Sequence, residues 1–428
     1  MRYFAASGYI GLLVFITLVG CSTALTESGV EQVPSNPVDA GTSTEGDLSV
    51  TDLTAESPSE DSLADDEEAI MTGDGRSEAL KRVTSAWGAD WTRHTVDYSE
   101  IISGGPPRDG IPSIDNPHFE NFEEAEKWLA PGEPVIALEI NGEARAYPLS
   151  ILTRHEIAND QVGGVPVAVT FCPLCNSALV FNRRVGNDVY EFGVSGLLRN
   201  SDLIMYDRTT ESLWQQFTGE GIVGIHAGDQ LDFLPAGLIS FGEFQSAYPD
   251  GAVLSRNTGI YPPAAYGTNP YVGYDNLNNQ RPFLFMAVPD ERLPAMMRVV
   301  GVAVGEEAIA YPYSALWEVG VINDTFAGAD LVVFHVFGMN SALGDSVIAQ
   351  AEDVGATGVF NPVVGGERLT FSVADEQIVD DQTGSVWNLA GQAVSGELED
   401  TQLERLLSTD HFWFSWAAFY PGTQVFGE

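Results

Sequence analysis

The feature of this chain that most restricts its fold is an internal repeat. Residues 143–179, EARAYPLSILTRHEIANDQVGGVPVAVTFCPLCNSAL, align without a gap with residues 307–343, EAIAYPYSALWEVGVINDTFAGADLVVFHVFGMNSAL, and 15 of the 37 aligned positions are identical. After an insertion in the second copy the match resumes, because residues 207–214 and 380–387 share the pattern D-x-x-T-x-S-x-W. Self-similarity of this kind indicates a duplicated structural unit, so the fold must accommodate the same unit twice.

The repeat divides the chain into predicted segments. Two tandem homologous domains cover residues 131–256 and 295–428, and each is long enough to bury a core of its own. Residues 77–130 form a lead-in segment rich in turn-forming glycine and proline. Residues 257–294 have no helix or strand periodicity, and a stretch of this length is predicted to be a linker that wraps a domain or covers a site.

The fold class is predicted to be α+β and mainly antiparallel β. Alternating apolar residues flank Asn141-Gly142, which predicts a hairpin. SILTRHEIAND has helical spacing with Ser150 as its candidate N-cap, and FGEFQSAYP predicts a short closing helix. The segments VPVAVTF, SALVFNRR, DVYEFGV and DLIMYD have the alternation of strands. A barrel and a sandwich are both compatible with this pattern.

The amino-terminal segment is predicted to be a lipoprotein signal peptide, residues 1–20. A short apolar run ends in LVGC, which has the small residue that a lipoprotein signal peptidase requires before Cys21. An uncleaved anchor with an incidental cysteine is the alternative. Residues 21–76 are acidic and lack aromatic residues, so they are predicted to be a disordered tether. The protein is therefore expected outside the cytoplasm, held to the cell membrane through lipidated Cys21.

The charge of the remaining chain excludes some partners. Residues 77–428 contain 47 acidic and 17 basic residues, a net charge of −30. Such a surface repels phosphates, so neither nucleic acid nor anionic lipid is an expected partner of the folded part. The same balance is typical of proteins adapted to high salt, and also of acidic exported proteins.

Comparison of the two copies separates structural residues from candidate functional ones. Residues present in both copies are predicted to serve turns, caps and packing. Ligand-type residues occur only in the first copy, where Cys172, Cys175 and His155 align with Val336, Met339 and Val319. This asymmetry predicts one functional site, located in the first domain.

The two cysteines allow three interpretations. As a metal site, Cys172 and Cys175 would supply thiolates, which suit zinc or copper(I), with His155 as third ligand and Glu156, Asp160 or Asp202 as fourth. As a redox pair they would form a dithiol with lowered thiol pKa values, although the strand-like NSALVFNRR argues against a thioredoxin arrangement. As inert residues they would be two buried thiols.

Two further functions stay open. Cys172 could be the nucleophile of a hydrolase or transferase, with His155 as base and Arg199 or Asn200 stabilising an oxyanion. Alternatively, the first domain could be a non-catalytic module that binds an anionic ligand. Its candidate binding residues are Arg183, Arg199, Asn200 and Asp202. Ion pairing of the arginines with neighbouring acidic residues is the structural alternative.

Several motifs, taken in order, resemble one known family. They are GGPPRDGIP, AYPLSILTRHEIAND, VTFCPLCNSALVF, FGVSGLLRNSDLIMYDRTTESLWQQ and FWFSWAAFYPGTQV, and together they span about residues 90 to 428. The chain is thereby similar to the domain of unknown function 3179 family of bacterial and archaeal proteins. The resemblance implies an exported or lipid-anchored protein with no assigned activity. It also implies that Cys172 is more constant than Cys175, which gives Cys172 the greater weight.

Overall fold

A computed structural model of the protein describes residues 70–428. The predicted signal peptide, Cys21 and most of the predicted tether lie outside the described residues. The tether was predicted to extend to residue 76, but Met71–Thr72 already forms a strand that pairs with Arg93–His94. None of the helices among residues 70–428 is long and apolar enough to cross a membrane.

Strands account for most of the regular structure. The strands are β1 Met71–Thr72, β2 Arg93–His94, β3 Ile102–Ser103, β4 Phe119–Glu120, β5 Pro134–Ile140, β6 Glu143–Pro148, β7 Ile157–Val162, β8 Val165–Cys172, β9 Ser177–Asn182, β10 Arg184–Val185, β11 Asp188–Val189, β12 Phe192–Arg199, β13 Asp202–Asp207, β14 Leu213–Gln215, β15 Gly221–Val223, β16 Gly237–Ser240, β17 Ala252–Leu254, β18 Arg298–Val304, β19 Glu307–Pro312, β20 Val321–Phe326, β21 Ala329–Val336, β22 Ala356–Asn361, β23 Val363–Val364, β24 Glu367–Arg368, β25 Phe371–Ala374, β26 Gln377–Asp380, β27 Val386–Trp387, β28 Ala393–Ser395, β29 Glu404–Arg405, β30 Thr409–Phe412 and β31 Gln424–Val425.

The helices are few and short. They are α1 Glu78–Val83, α2 Phe122–Ala125, α3 Leu149–Leu152, α4 Phe241–Ala247, α5 Tyr313–Val319 and α6 Trp413–Phe419. Single 3₁₀ turns occur at Tyr98–Glu100, Pro263–Ala265 and Ile348–Gln350. The α+β, mainly antiparallel β class predicted from the sequence is confirmed.

The strand pairing has the same order in both halves of the chain. In the first half the β5–β6 hairpin is flanked by antiparallel β16 and parallel β17, and in the second half the β18–β19 hairpin is flanked by antiparallel β30 and parallel β31. Each hairpin is followed by a helix and a three-stranded antiparallel meander, β7–β8–β9 and β20–β21–β22. Two further antiparallel meanders, β12 to β15 and β25 to β28, come next along the chain.

Residues that the two copies share make matching hydrogen bonds. The hydroxyl of Tyr147 donates to Asp160 at 2.6 Å, and that of Tyr311 donates to Asp324 at 2.8 Å. The indole of Trp214 donates to Asp207 at 3.2 Å, as Trp387 does to Asp380 at 3.0 Å. Asn159 and Asn323 each bridge a β7-type strand to the backbone of Phe192 or Phe371. These shared residues therefore serve packing, as their recurrence predicted.

The main hydrophobic core is continuous across the two halves. It contains Phe171 and Phe244 from the first half together with Phe334, Phe360 and Phe412 from the second, each at most 1% exposed. The sequence predicted a core within each repeat, whereas residues 70–428 all belong to one compact unit. The boundaries 131–256 and 295–428 therefore stay a prediction about the repeat units.

The predicted helix through SILTRHEIAND is shorter in the structure. Helix α3 ends at Leu152, and its N-cap is Pro148 rather than Ser150. Glu156 has a φ of +58°, a left-handed conformation that no α-helix can continue through. The following residues form β7, because Ile157–Val162 pairs along its whole length with β8. Tertiary pairing thus overrides the local helical spacing.

Gly196 gives a first prediction about stability. It lies in the bulge of β12 between Val194 and Leu197, has a φ of +77°, and a Cβ atom there would stand 2.1 Å from the carbonyl oxygen of Pro106. We expect Gly196→Ala to lower the free energy of unfolding by about 2–4 kcal/mol, because the backbone of the lead-in segment must shift. Urea denaturation measures this change.

A matched control separates the clash from the backbone conformation. Gly186 also has a positive φ, +59°, but nothing lies within 4 Å of its Cβ position. We expect Gly186→Ala to lower the free energy of unfolding by only about 1 kcal/mol. Equal losses of unfolding free energy in the two variants would show that the clash with Pro106 does not contribute to the destabilisation.

Candidate functional site

The two cysteines lie at a tight connection between two buried strands. Strand β8 ends at Cys172, which pairs in register with Ser177, the first residue of β9. Within the turn, the amide of Cys175 donates to the carbonyl of Cys172 at 3.3 Å, and Asn176 adopts a φ of +52°. The chain therefore continues as a strand after the motif, and neither thiol stands at a helix N-terminus.

A carboxylate completes a compact group with the two thiols. The sulfur atoms of Cys172 and Cys175 and one carboxylate oxygen of Asp202 all lie within 4.8 Å of one another. Cys172 is 2% exposed, and Cys175 and Asp202 are fully buried. Asp202 opens β13 directly after Asn200 and Ser201, whose φ angles of +52° and +67° make the sharp turn that aims its side chain inward.

Only one oxygen of Asp202 is satisfied. Its Oδ1 accepts hydrogen bonds from the Gln215 amide at 2.7 Å and from the backbone N–H of Phe217 at 3.0 Å. Its Oδ2 accepts none of normal geometry from the described residues, and neither does Oε1 of Gln215. Buried oxygens without partners are rare, and the donors that stand beside this carboxylate are the thiols of Cys172 and Cys175. Burial is the main cause that raises the pKa of Asp202 to about 7.

The surroundings disfavour charged forms of the thiols. Burial raises the pKa of both Cys172 and Cys175. The nearby Glu156 is also buried, and burial together with the charge of Asp202 raises its pKa to about 8. The sequence predicted lowered thiol pKa values for a redox pair. In the structure the pKa of both thiols is raised instead, because the thiols are buried among carboxyl groups and neither cysteine begins a helix.

His155 is not part of this group. Its ring Nδ1 lies 2.6 Å from the carbonyl oxygen of Pro112, and its Nε2 lies 2.7 Å from the hydroxyl of Tyr266. Burial lowers its pKa, so the ring is neutral and both nitrogens are occupied. The sequence proposed His155 as third metal ligand and as base for Cys172, but the third ligand-type atom beside the thiols belongs to Asp202.

The arginines predicted to bind an anion are held by the protein itself. Arg183 donates to the backbone carbonyls of Val167, Tyr190 and Asp160. Arg199 forms an ion pair with Glu100 at 2.8 Å. Asn200 is a turn residue with a left-handed backbone. The structure thus brings Asp202 to the thiols but leaves Arg183, Arg199 and Asn200 in structural roles.

The second half of the chain contributes to the site, which sequence comparison did not predict. The backbone N–H of Phe412 donates to the carbonyl of Cys175 at 2.9 Å. The buried hydroxyl of Ser415 lies beside the Cys175 thiol and has no hydrogen-bond partner of normal geometry among residues 70–428. Arg298 donates to the side chain of Asn176 at 2.7 Å. The site is therefore enclosed between the halves.

The predicted linker, residues 257–294, lies beside the site as well. The Ser201 hydroxyl donates to the carbonyl of Phe283 at 2.5 Å, and the N–H of Phe283 donates to the hydroxyl of Tyr274 at 3.3 Å. Burial and the neighbouring Cys175 raise the pKa of Tyr274. This packing explains why two cysteines at the end of a strand are shielded from solvent.

One sequence signal could have identified more of the site. Gln215 and Gln216 are polar residues at buried positions after Trp214, and the corresponding residues of the second copy are Asn388 and Leu389. The amide of Gln216 donates to Thr170 and to the carbonyl of Ser177, next to the cysteine turn. The comparison of the two copies that selected the cysteines therefore also distinguishes Gln216, which aligns with an apolar residue, whereas Gln215 aligns with another amide.

The fold and the site define an antiparallel β protein with a buried dithiol–carboxylate group. The family model described as "Protein of unknown function (DUF3179)" matches residues 108–423, so the chain belongs to that family. Comparison with curated proteins and with solved structures gave no match.

Proposed function

We propose that Cys172, Cys175 and Asp202 bind a thiophilic metal ion, with zinc preferred over copper(I). The observation that carries this proposal is the group of two buried thiols and one buried carboxylate, whose ligand-type atoms all lie within 4.8 Å of one another. Zinc accepts sulfur and carboxylate oxygen together, whereas copper(I) prefers sulfur alone. A divalent ion would also offset most of the charge of two thiolates and one carboxylate.

The ligand set leaves a coordination position for a fourth group. Zinc is tetrahedral, and three protein ligands with one open position are typical of zinc sites that act on a substrate. Glu156 is a further buried carboxyl group near the site, because the charge of Asp202 acts on it. The fourth ligand is therefore Glu156, water or a substrate atom.

Elemental analysis of the full-length chain, purified without a polyhistidine tag, tests this proposal. We expect stoichiometric zinc in the wild type, none in Cys172→Ser, and an unchanged content in His155→Gln because both His155 nitrogens are bonded elsewhere. Loss of zinc in His155→Gln, with the fold retained, would restore His155 as a ligand. Absence of zinc and copper from the wild type would remove the metal centre.

A dithiol that cycles with a Cys172–Cys175 disulfide is the second candidate. The CxxC spacing and the closeness of the two free thiols favour it. Oxidation would join the two sulfurs and pass two electrons and two protons to an external disulfide, which becomes two thiols. Thiol titration of the denatured protein distinguishes the candidates: a metal-free protein without titratable Cys172 and Cys175 supports the redox function.

A cysteine-nucleophile hydrolase or transferase has less support. Such an enzyme requires a base that activates the thiol. Both nitrogens of His155 are occupied, and burial raises the pKa of Cys172. A non-catalytic module that binds an anion through Arg183 and Arg199 is disfavoured for the same kind of reason, because both guanidinium groups have protein partners.

We also propose that the protein is anchored outside the cytoplasm through lipidated Cys21 and has no nucleic-acid partner. The apolar run before LVGC and the net negative charge support this. We expect Cys21→Ser to abolish the incorporation of a labelled fatty acid into the protein in its native host. Labelling of the variant equal to that of the wild type would show that Cys21 is not the lipidated residue.

The internal duplication is likewise a proposal about origin. The repeated motif and the matching order of strand pairing in the two halves support it. On this view one copy retained the thiols and carboxylates, while the other supplies Phe412, Ser415 and Arg298 as the enclosure of the site.

A further inference from the structure

A cleft separate from the thiol group lies between the two halves of the chain. Its volume is about 610 Å³, within the range of small-molecule binding sites. One wall comes from the β5–β6 hairpin and the end of α4, and the other from residues 390–405 of the second half. Cys172, Cys175 and Asp202 do not line it.

Arg405 is the charged donor inside this cleft. It is partly buried, stacks on the ring of Phe360, and has one long hydrogen bond, 3.4 Å to the carbonyl of Leu389. It belongs to none of the ion pairs among residues 70–428, whereas Arg298 and Arg292, which line two other cavities, are paired with aspartates. The buried carboxyl group of Asp410 acts on Arg405 electrostatically but forms no ion pair with it, so the guanidinium keeps donors free for an anionic partner.

Apart from two glutamines, the other lining residues of the cleft are apolar or acidic, and the acidic ones stand at its rim. The amides of Gln392 and Gln402 are bonded to backbone carbonyls, so they offer little to a ligand. The apolar part of the wall is formed by Leu234, Ala247, Tyr248 and Leu403. Three exposed acidic residues, Glu139, Asp250 and Glu404, stand at the rim. The cleft therefore presents positive charge inside, apolar surface in the middle and negative charge at the mouth.

We propose that this cleft binds a small zwitterion, such as a short apolar peptide with free termini. Its carboxylate binds Arg405, its apolar body packs along Leu403 and Tyr248, and its ammonium group faces the rim acids. This function is independent of the thiol site and does not rest on the presence of a metal.

Calorimetric titration of the full-length chain with the dipeptide Leu-Leu tests the proposal. N-acetyl-Leu-Leu lacks the ammonium group and Leu-Leu-amide lacks the carboxylate, so the three probes separate the two charges. We expect Leu-Leu to bind, the amide to bind at least about tenfold more weakly, and the acetylated form to bind a few-fold more weakly, because a charge-assisted pair inside the cleft exceeds one at its rim.

Two variants locate the binding. Arg405→Gln should weaken Leu-Leu binding at least about tenfold, while Arg184→Gln, at an exposed arginine outside the cleft, should leave it unchanged. Ala144→Phe fills the cleft from β6 without altering Arg405, so it decides the question if Arg405→Gln does not fold. Zinc content should be unchanged in all three.

Three outcomes would overturn the proposal. Absence of Leu-Leu binding by the wild type would exclude a peptide-like zwitterion. Equal binding by Arg405→Gln or by Ala144→Phe would place the ligand elsewhere. Tighter binding of N-acetyl-Leu-Leu would show that the ligand is a simple carboxylate which the rim repels.

Discussion

We expect Asp202→Asn to weaken binding at the proposed zinc site by at least about 100-fold and to stabilise the metal-free protein above pH 7. The first effect follows because the amide nitrogen or oxygen of asparagine is a poorer ligand than the carboxylate that stands beside Cys172 and Cys175. Competition with a zinc-sensitive dye measures it. The second effect follows from the raised pKa of this buried group.

The sign of the stability effect is fixed by protonation. Burial raises the pKa of Asp202 from 3.8 to about 7. Between these values the unfolded chain loses the proton while the folded chain keeps it, so the free energy of unfolding falls as the pH rises. The loss reaches about 4 kcal/mol and persists above pH 7. Asparagine never ionises, so the stability of metal-free Asp202→Asn in urea should fall less over this pH range than that of the wild type, and the fall that remains comes from buried Glu156.

A matched control is available. Asp188 is exposed in the β10–β11 hairpin, and Asp188→Asn should leave both the zinc affinity and the stability at pH 8 unchanged. If Asp202→Asn proves less stable than the wild type at pH 8 and binds zinc equally well, the carboxylate serves the fold and the metal centre has lost its third ligand.

Replacing Arg298 with methionine will destabilise the protein by about 3–5 kcal/mol. Arg298 joins three parts of the chain, because it bonds Asn176 beside the cysteine turn, Asp275 of the linker at 2.8 Å and Ser341 of the second half at 2.8 Å. The side chains of Arg298 and Asp275 are 8% and 12% exposed. Removing only the cation leaves the aspartate charge buried without compensation, which urea denaturation will detect.

Two comparisons test this reason. Arg368 pairs with Asp330 at the surface, where the side chains are 40% and 34% exposed, so Arg368→Met should cost at most about 1 kcal/mol. The double variant Arg298→Met with Asp275→Asn should recover part of the loss, since no buried charge is left unpaired. A double variant as unstable as the single one would assign the loss to packing on Phe412 instead.

Local patterns in the sequence predicted the parts of the fold that depend on neighbours along the chain. The Asn141-Gly142 hairpin forms as predicted, and the chain continues as strand β9 after the cysteine turn. FGEFQSAYP contains helix α4. The helix predicted for residues 153–160 from their spacing does not form. Glu156 has a left-handed backbone, and the residues after it pair with β8 as a strand.

The candidate site was predictable only in part. Comparison of the two copies selected Cys172 and Cys175, and these two do lie together. It selected His155 with equal force, yet the lead-in segment and the linker occupy both ring nitrogens. Arg183 likewise contrasts with the second copy, but the backbone carbonyls that it bonds belong to strands whose positions no local pattern reveals.

What the sequence determined by itself is the class of fold, the repeated sequence motif, and the two thiols as the chemically distinctive residues. Alternation, turn residues and self-similarity act within one segment, so they can be read without knowing the tertiary structure. The tertiary structure decided which side chains meet. Asp202 and Arg298 come from strands β13 and β18 and Ser415 from helix α6, and their closeness to the cysteines arises from burying one shared core between the two halves.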